Sequence, residues 1–224
     1  MPSLKSLLIQ LPLRLTRYRG IHRRFSKYTM ISKTAYLRNL ALVHNFSQVQ
    51  GTVVECGVWR GGMSAGMATL LGVEREYHLF DSFEGLPPAR EIDGQSAIDW
   101  QADKNAPGYF DNCSAEEGEA TAAMKLSGAK RFVLHKGLFD KTLPPWSAAA
   151  SPIAVLRLDC DWYDSMMVCL THLMPKVAPG GVIIVDDYYT WDGCTKAVHE
   201  YLAAMKEPLR MRQFLNGPFY LVNE

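Results

Sequence analysis

From about residue 52 onward, short apolar runs alternate with longer stretches of helical spacing. The runs lie at 52–56, 77–81, 131–135, 153–159 and 182–185, and are rich in Val, Leu and Ile. Runs with little polar alternation predict strands buried on both faces. Between and after them, 63–71, 165–177 and 195–206 place apolar residues three and four apart, the helical period. Strand and helix in alternation predict an α/β fold with a parallel sheet. The chain ends differently: 211–215 and 219–222 flank Asn216-Gly217-Pro218. That predicts an antiparallel hairpin, with Asn-Gly supplying positive φ angles. The whole pattern is a mostly parallel seven-stranded sheet with a C-terminal antiparallel hairpin.

Two segments fall outside this rhythm. Residues 86–113 are polar and rich in Pro, Gly and Asp, with Trp100, Tyr109 and Phe110 among them. A loop of that length in a compact domain serves as a lid or binding loop, or else is disordered. Ser114-Ala-Glu-Glu117 then has the form of a capping box, opening a helix to about Leu126. At the other end, no Asp or Glu precedes Glu55, against Lys5, Arg14, Arg17, Arg19, Arg23, Arg24, Lys27, Lys33 and Arg38. Such an arm suits a solvated face or mobile terminus, or contact with a membrane surface, an anionic acceptor or an acidic partner. The predicted division is a basic helical arm or lid over 1–45 and one α/β domain over 46–224, with 86–113 inserted.

Composition narrows the classes. At 224 residues the chain has room for one good-sized core. A net charge of +1 gives no general attraction to nucleic acid. Five cysteines, an odd number without a C-x-x-C pair, argue against a disulfide framework and suit a reducing cytosol. The apolar stretch 7–15 is broken by Gln10, Pro12 and Arg14, too short for a membrane span, and no small-residue cleavage site follows.

Three constellations carry chemistry. Val54-Glu-Cys-Gly-Val-Trp-Arg-Gly-Gly62 joins the first strand to the first helix of the domain. Gly57 and Gly61 let a ligand approach the backbone, and the helix start offers free N–H groups. The spacing is not G-x-G-x-x-G, which weakens a dinucleotide reading. Acid-x-Gly-x-x-x-Gly resembles the first motif of S-adenosylmethionine enzymes. Asp81 ends the second strand, where a carboxylate can accept both ribose hydroxyls. Asp159-Cys-Asp161-Trp-Tyr-Asp164 and Asp186-Asp187 end neighbouring strands. Carboxylates grouped there repel unless a cation joins them, and all-oxygen donors suit Mg²⁺, Ca²⁺ or Mn²⁺. Asp164 reads as the cap of the following helix.

As an ordered set, the glycine loop, Phe80-Asp-Ser-Phe-Glu-Gly-Leu-Pro87, Lys136-Gly-Leu-Phe139 with Thr142-Leu-Pro144, Leu156-Arg-Leu-Asp-Cys-Asp161 and Pro179-Gly-Gly-Val-Ile-Ile-Val-Asp-Asp-Tyr188 resemble the macrocin O-methyltransferase (TylF-type) family. The resemblance implies the Rossmann-like class I methyltransferase fold. It implies a cytoplasmic, homo-oligomeric enzyme using S-adenosylmethionine and Mg²⁺, or another oxygen-liganded divalent cation, to methylate a hydroxyl of a sugar or glycosylated small molecule. Carried over, it implies that Asp159, Asp186 and Asp187 hold the metal and that Asp161 is the general base. The donor would lie on Glu55, Gly57, Gly61 and Asp81, with Ser82 and Gly137 nearby. Cys160 and Trp162 depart from a pattern that has a small residue, often Gly, and a smaller aliphatic there. Bulk at Trp162 would reshape the acceptor pocket, and acceptor contacts are expected within 88–111. The rival readings are an NAD-dependent oxidoreductase, a non-catalytic donor-binding scaffold and, through the basic arm, RNA methylation.

Overall fold

A computed structural model describes the backbone of residues 4–224 and the side chains from residue 14 onward. Lys5 and most of the apolar stretch 7–15 therefore lie outside the described side chains.

The seven strands are β1 (Thr52–Cys56), β2 (Glu76–Asp81), β3 (Arg131–Lys136), β4 (Ile153–Leu158), β5 (Val177–Val185), β6 (Arg212–Gln213) and β7 (Phe219–Val222). They form one sheet in the order β3-β2-β1-β4-β5-β7-β6. β1 to β5 are parallel, and β7 runs antiparallel between β5 and β6. The order reverses between β1 and β4, which opens a crevice at their carboxyl ends.

Both faces are covered. Helices α1 (Leu4–Phe25), α2 (Lys33–His44), α3 (Gly62–Leu71) and α6 (Glu117–Ser127) pack on one side, where Val53, Val155 and Val182 meet Phe25, Leu40, Met67 and Met124. On the other, α7 (Phe139–Ala148), α8 (Tyr163–Leu173) and α9 (Asp192–Ala204) close over Val54, Leu156 and Ile183. Successive strand residues serve opposite cores, which is why the runs show no polar alternation. Full burial of one such aliphatic side chain is worth roughly 1.5–3 kcal/mol.

Several local expectations are corrected. The box opening α6 joins Glu116 and Glu119 instead of Ser114 and Glu117. In the hairpin, positive φ falls on Leu215 and Asn216, one residue earlier than Asn-Gly. Gly217 is small for another reason: a Cβ there would stand 2.6 Å from Arg38 Cδ. The arm is no mobile terminus from residue 14 on. Tyr18, Ile21 and Phe25 are buried in the core, and Arg17 donates to the Leu70 carbonyl.

The segment 86–113 is also ordered. It holds a 3₁₀ turn (Glu91–Asp93), α4 (Gln95–Ala102) and a one-turn left-handed segment, α5 (Phe110–Cys113), in which all four residues have positive φ. Asp93 fastens it: its Oδ1 accepts from Tyr163 N at the start of α8 (2.7 Å) and its Oδ2 from Arg90 N (2.8 Å). At its base, Leu86 N donates to Asn112 O (3.0 Å), and Asn112 Nδ2 donates back to Leu86 O (2.7 Å). Among the described residues no helix is long and apolar enough to cross a membrane.

Candidate functional site

A cavity of about 700 Å³ opens at the carboxyl ends of β1, β2, β4 and β5, a size suited to a small-molecule site. Gly57, Asp81, Ser82, Gly137, Asp159, Asp161, Asp186 and Asp187 all line it. Glu55 and Gly61 do not face it.

The β1 loop is shaped by crowding. Gly57 has φ +79°, and a Cβ on it would sit 1.7 Å from the Asp159 carbonyl oxygen. No side chain fits where β1 and β4 leave the sheet this close together. Gly61, at φ +77°, begins α3, and a Cβ there would lie 2.9 Å from Ala120 Cα. Asp81 holds the loop from β2. Its Oδ2 accepts from Val58 N (2.7 Å) and Trp59 N (2.8 Å), and its Oδ1 from Phe83 N (2.7 Å). Burial raises its pKa, and these N–H groups oppose the shift. Ser82 Oγ closes the next turn by donating to Gly85 O (2.9 Å). Gly137 N donates to Asp81 O (2.9 Å) and brings the end of β3 alongside.

At the β4 and β5 ends, a buried guanidinium organises the carboxylates. Arg157 is 1% exposed. Its Nη1 lies 2.7 Å from Glu55 Oε1 and 2.9 Å from Asp159 Oδ2, and its Nη2 lies 2.9 Å from Asp186 Oδ2. The last contact is an ion pair without hydrogen-bond alignment, and Nε has no partner. Glu55 is thus turned into the sheet, where it also accepts from the Ser64 hydroxyl. Burial pushes its pKa up to about 7, against the pull of Arg157 and Ser64. Asn39 Nδ2, from α2, donates to Asp186 Oδ1 (3.3 Å).

Asp161 sits just beyond β4 with φ +53°. Trp191 Nε1 donates to its Oδ1 (3.0 Å), and its own N–H donates to Asp187 Oδ2 (3.2 Å). Burial first, and then the charge of Asp159, raise its pKa to about 7, with the Trp191 bond opposing. Asp187 is raised well above the usual range by burial and by Asp161, Asp159 and Asp186. Asp159 is raised by burial and held back by Arg157.

One guanidinium pairs with three carboxyl groups, and Asp161 and Asp187 lie beside them, so the cluster calls for more positive charge or for protons. The donors are hard oxygens, the right kind for a divalent cation. Their present aim is not a coordination shell: among the described residues, no three His, Cys, Asp or Glu side chains are arranged to hold a metal ion. Arg157 takes an oxygen from two of the expected ligands.

Sequence reasoning missed Arg157, Asn39, Asp93 and Trp191. Arg157 left a signal, as a lone cation inside a wholly apolar strand must have buried counter-charges. Met30 and Ile31, from the α1–α2 connection, also line the cavity. Tyr28 O accepts from Gly62 N (2.8 Å) at the start of α3. His135 stacks on Phe80 (centroids 4.2 Å apart) beside His78 and Trp146. Trp162, expected to reshape the pocket, is buried behind it and donates to Pro87 O (2.8 Å).

The chain is 35% identical over 167 residues to 8-demethyl-8-(2,3-dimethoxy-alpha-L-rhamnosyl)-tetracenomycin-C 4'-O-methyltransferase of Streptomyces olivaceus, covering 68% of this chain and 58% of that protein. It is 36% identical to demethyldecarbamoylnovobiocin O-methyltransferase of Streptomyces niveus, covering 70% and 60%. The match thus spans about three fifths of the length of these curated relatives. The solved structure of the O-methyltransferase NovP superimposes with a TM-score of 0.71 at 28% identity, covering 88% of this chain and 82% of that one. The profile of the macrocin-O-methyltransferase (TylF) family matches residues 14–214, nearly the whole chain, and the protein belongs to that family.

Proposed function

We propose that the protein transfers the methyl group of S-adenosylmethionine to a hydroxyl of a sugar or glycosylated small molecule. The observation that carries this reading is one cavity shared by the glycine loop of β1 and the carboxylate Asp161. The rhamnosyl group in the name of the Streptomyces olivaceus relative supports the acceptor class.

The methionine end of the donor belongs on the loop Gly57–Gly61, and the ribose hydroxyls on Asp81, with Ser82 and Gly137 beside them. Asp81 then has two tasks, since Oδ2 is occupied by the loop while Oδ1 carries one bond. Glu55 contributes by shaping the loop from behind. Asp161 is the general base, with Oδ1 held by Trp191 and Oδ2 left for the acceptor. A pKa near 7 suits that task. The acceptor O–H bond breaks with its proton passing to Asp161. The oxygen attacks the methyl carbon in line as the S–CH₃ bond breaks, leaving a methyl ether and S-adenosylhomocysteine. Positioning of the two reactants supplies much of the rate.

A divalent cation on Asp159, Asp186 and Asp187 is the finer part of the reading, supported by the excess of carboxylates. Bound there, it would supply Lewis acidity that lowers the pKa of the acceptor hydroxyl. The 1–45 arm acting as a lid, supported by Met30 and Ile31 in the cavity wall, homo-oligomers and a cytoplasmic setting complete it.

The test is calorimetric titration with S-adenosylhomocysteine, with Mg²⁺ and after chelation, paired with methylation assays on glycosylated acceptors. Asp161→Asn should lower turnover by about 10²–10⁴-fold and leave product affinity unchanged within about twofold. A heat of Mg²⁺ binding should vanish in Asp186→Ala. Lack of S-adenosylhomocysteine binding in both conditions would sink the methyltransferase reading. Near-full turnover by the Asn variant would remove the base assignment.

A further inference from the structure

A second recess lies on the arm, away from the sheet. Tyr18, Ile21 and Phe25 turn one side of α1 into the core. Arg19, Gly20 and Arg23 share the opposite side, by the helical period. With Ser26, and with Lys33 at the first position of α2, they line a recess of about 440 Å³. It has no lining residue in common with the reaction cavity. No acid precedes Glu55 in the chain, and among the described residues no carboxylate pairs with Arg19, Arg23 or Lys33. His22 also lines the recess but adds no charge at neutral pH, since burial and then Lys33 lower its pKa. Gly20 is a second, independent observation. Glycine inside a helix is less stable than alanine, yet a Cβ on Gly20 would meet nothing within 4 Å. Packing does not require this glycine, and its bareness leaves the floor between the two arginines open.

We propose that this recess binds a phosphate monoester, at a site separate from methyl transfer. Three positive charges without counter-charges converge there, more than one carboxylate balances. A phosphate monoester brings about 1.5–2 negative charges at pH 7 and three terminal oxygens. Arginine forks take two such oxygens at once, and a lysine adds a point charge. The volume leaves room for the group that carries the phosphate. An extended polyanion such as RNA fits less well. Arg17 and Arg24 would widen the basic face, but they are spent on the backbone carbonyls of Leu70 and Leu126. The free charge is therefore gathered at one recess and does not spread around the helix. The position gives the site a consequence. Ser26 and Lys33 stand at the two ends of the α1–α2 connection, and Met30 and Ile31 within it wall the reaction cavity. A phosphate bridging Arg23 and Lys33 braces that wall. A soluble metabolite and a lipid headgroup offer the same chemistry.

The test is calorimetric titration of the full chain with glycerol 3-phosphate and with glycerate, which offers one carboxylate instead. A parallel arm measures flotation with phosphatidylcholine vesicles, with and without phosphatidic acid. Saturable glycerol 3-phosphate binding, at least tenfold tighter than glycerate, would support the site with a soluble ligand. Flotation that needs phosphatidic acid, without glycerol 3-phosphate binding, would support it with a lipid headgroup. In the arm that binds, Gly20→Glu sets a carboxylate between the arginines and should weaken binding at least tenfold, as should Arg19→Gln combined with Arg23→Gln. Gly20→Ala should stay within threefold of the parent. Thermal unfolding of each variant without ligand reports that it folds. Amide exchange across 26–33 should slow on binding, and unchanged exchange would overturn the bracing. No binding in either arm, glycerate equal to glycerol 3-phosphate, a folded Gly20→Glu variant that binds normally, or binding of an RNA oligonucleotide alone would each overturn the site. None of these outcomes touches the methyl-transfer reading, and loss of that reading would leave the site standing.

Discussion

On the β1–β3 side of the cavity, the chain presents mainly backbone. Gly57 and Gly137 line it with backbone, and the N–H groups of Val58, Trp59 and Phe83 are gathered on Asp81. On the β4–β5 side it presents side chains: Asp159 and Asp186, drawn in by Arg157, with Asp161 and Asp187 beside them and Trp100 and Trp191 as walls. The first side is internally satisfied. The second has more negative charge than its one cation balances. A rigid side that is already complete suits a ligand that is always the same, and a charged, side-chain-built side suits chemistry and choice.

The contrast can be broken from either end. The largest effect should come from Gly57→Ala, where the new methyl would meet a backbone oxygen at 1.7 Å in a positive-φ position. A loss of more than about 4 kcal/mol is expected, the range that marks a backbone that cannot yield. Thermal unfolding with and without S-adenosylhomocysteine would check it, and a stable variant that still binds would mean the β1–β4 junction is softer than its geometry. Next comes Arg157→Met, which leaves Glu55, Asp159 and Asp186 without their counter-charge. Removing one partner of a buried ion pair costs about 3–5 kcal/mol. The deficit should shrink in mildly acidic buffer, where the stranded carboxyls take up protons. Chemical denaturation at two pH values would show it, and a deficit independent of pH would point to lost packing alone.

The smallest effect lies outside the cavity. His135 has its pKa pushed down to about 4 by burial and by neighbouring His78. A depressed histidine stabilises the fold above its unfolded value near 6.5. That contribution fades as the pH falls from there toward 4, because the unfolded chain binds the proton first. After discounting for the ring's partial exposure it amounts to about 1–2 kcal/mol. His135→Phe should flatten the acid limb of a melting-temperature profile, leaving S-adenosylhomocysteine binding at neutral pH untouched.

The same contrast explains what could be read in advance. The β1 loop announces itself because its glycines stand together in one stretch, and the strands were legible because the four inner ones are largely buried, while the edge strand β3 keeps an apolar run although its positions are exposed or half-buried. Asp159, Asp161, Asp186 and Asp187 could be placed at strand ends by counting. How they share Arg157 depends on the β1–β4–β5 register, which no single stretch encodes. Trp100 and Trp191 are 91 positions apart in the chain, and their rings, inclined by 60°, meet only once Asp93 has docked the inserted segment on α8. The hairpin shows a subtler failure. Asn216-Gly217 did signal a turn, but Gly217 answers to Arg38, far away in sequence.

The paired hydrogen bonds between Leu86 and Asn112 have an evolutionary meaning. They close the inserted segment at its neck, so the sheet experiences two adjacent anchor points whatever lies between them. The entropy of closing a loop grows only with the logarithm of its length, about 0.6 kcal/mol for each doubling. A descendant could therefore lengthen, shorten or replace the stretch carrying Trp100 without retuning the strands below. The segment is a module, and a lineage that needed a new acceptor could revise it while inheriting the β1–β3 side unchanged.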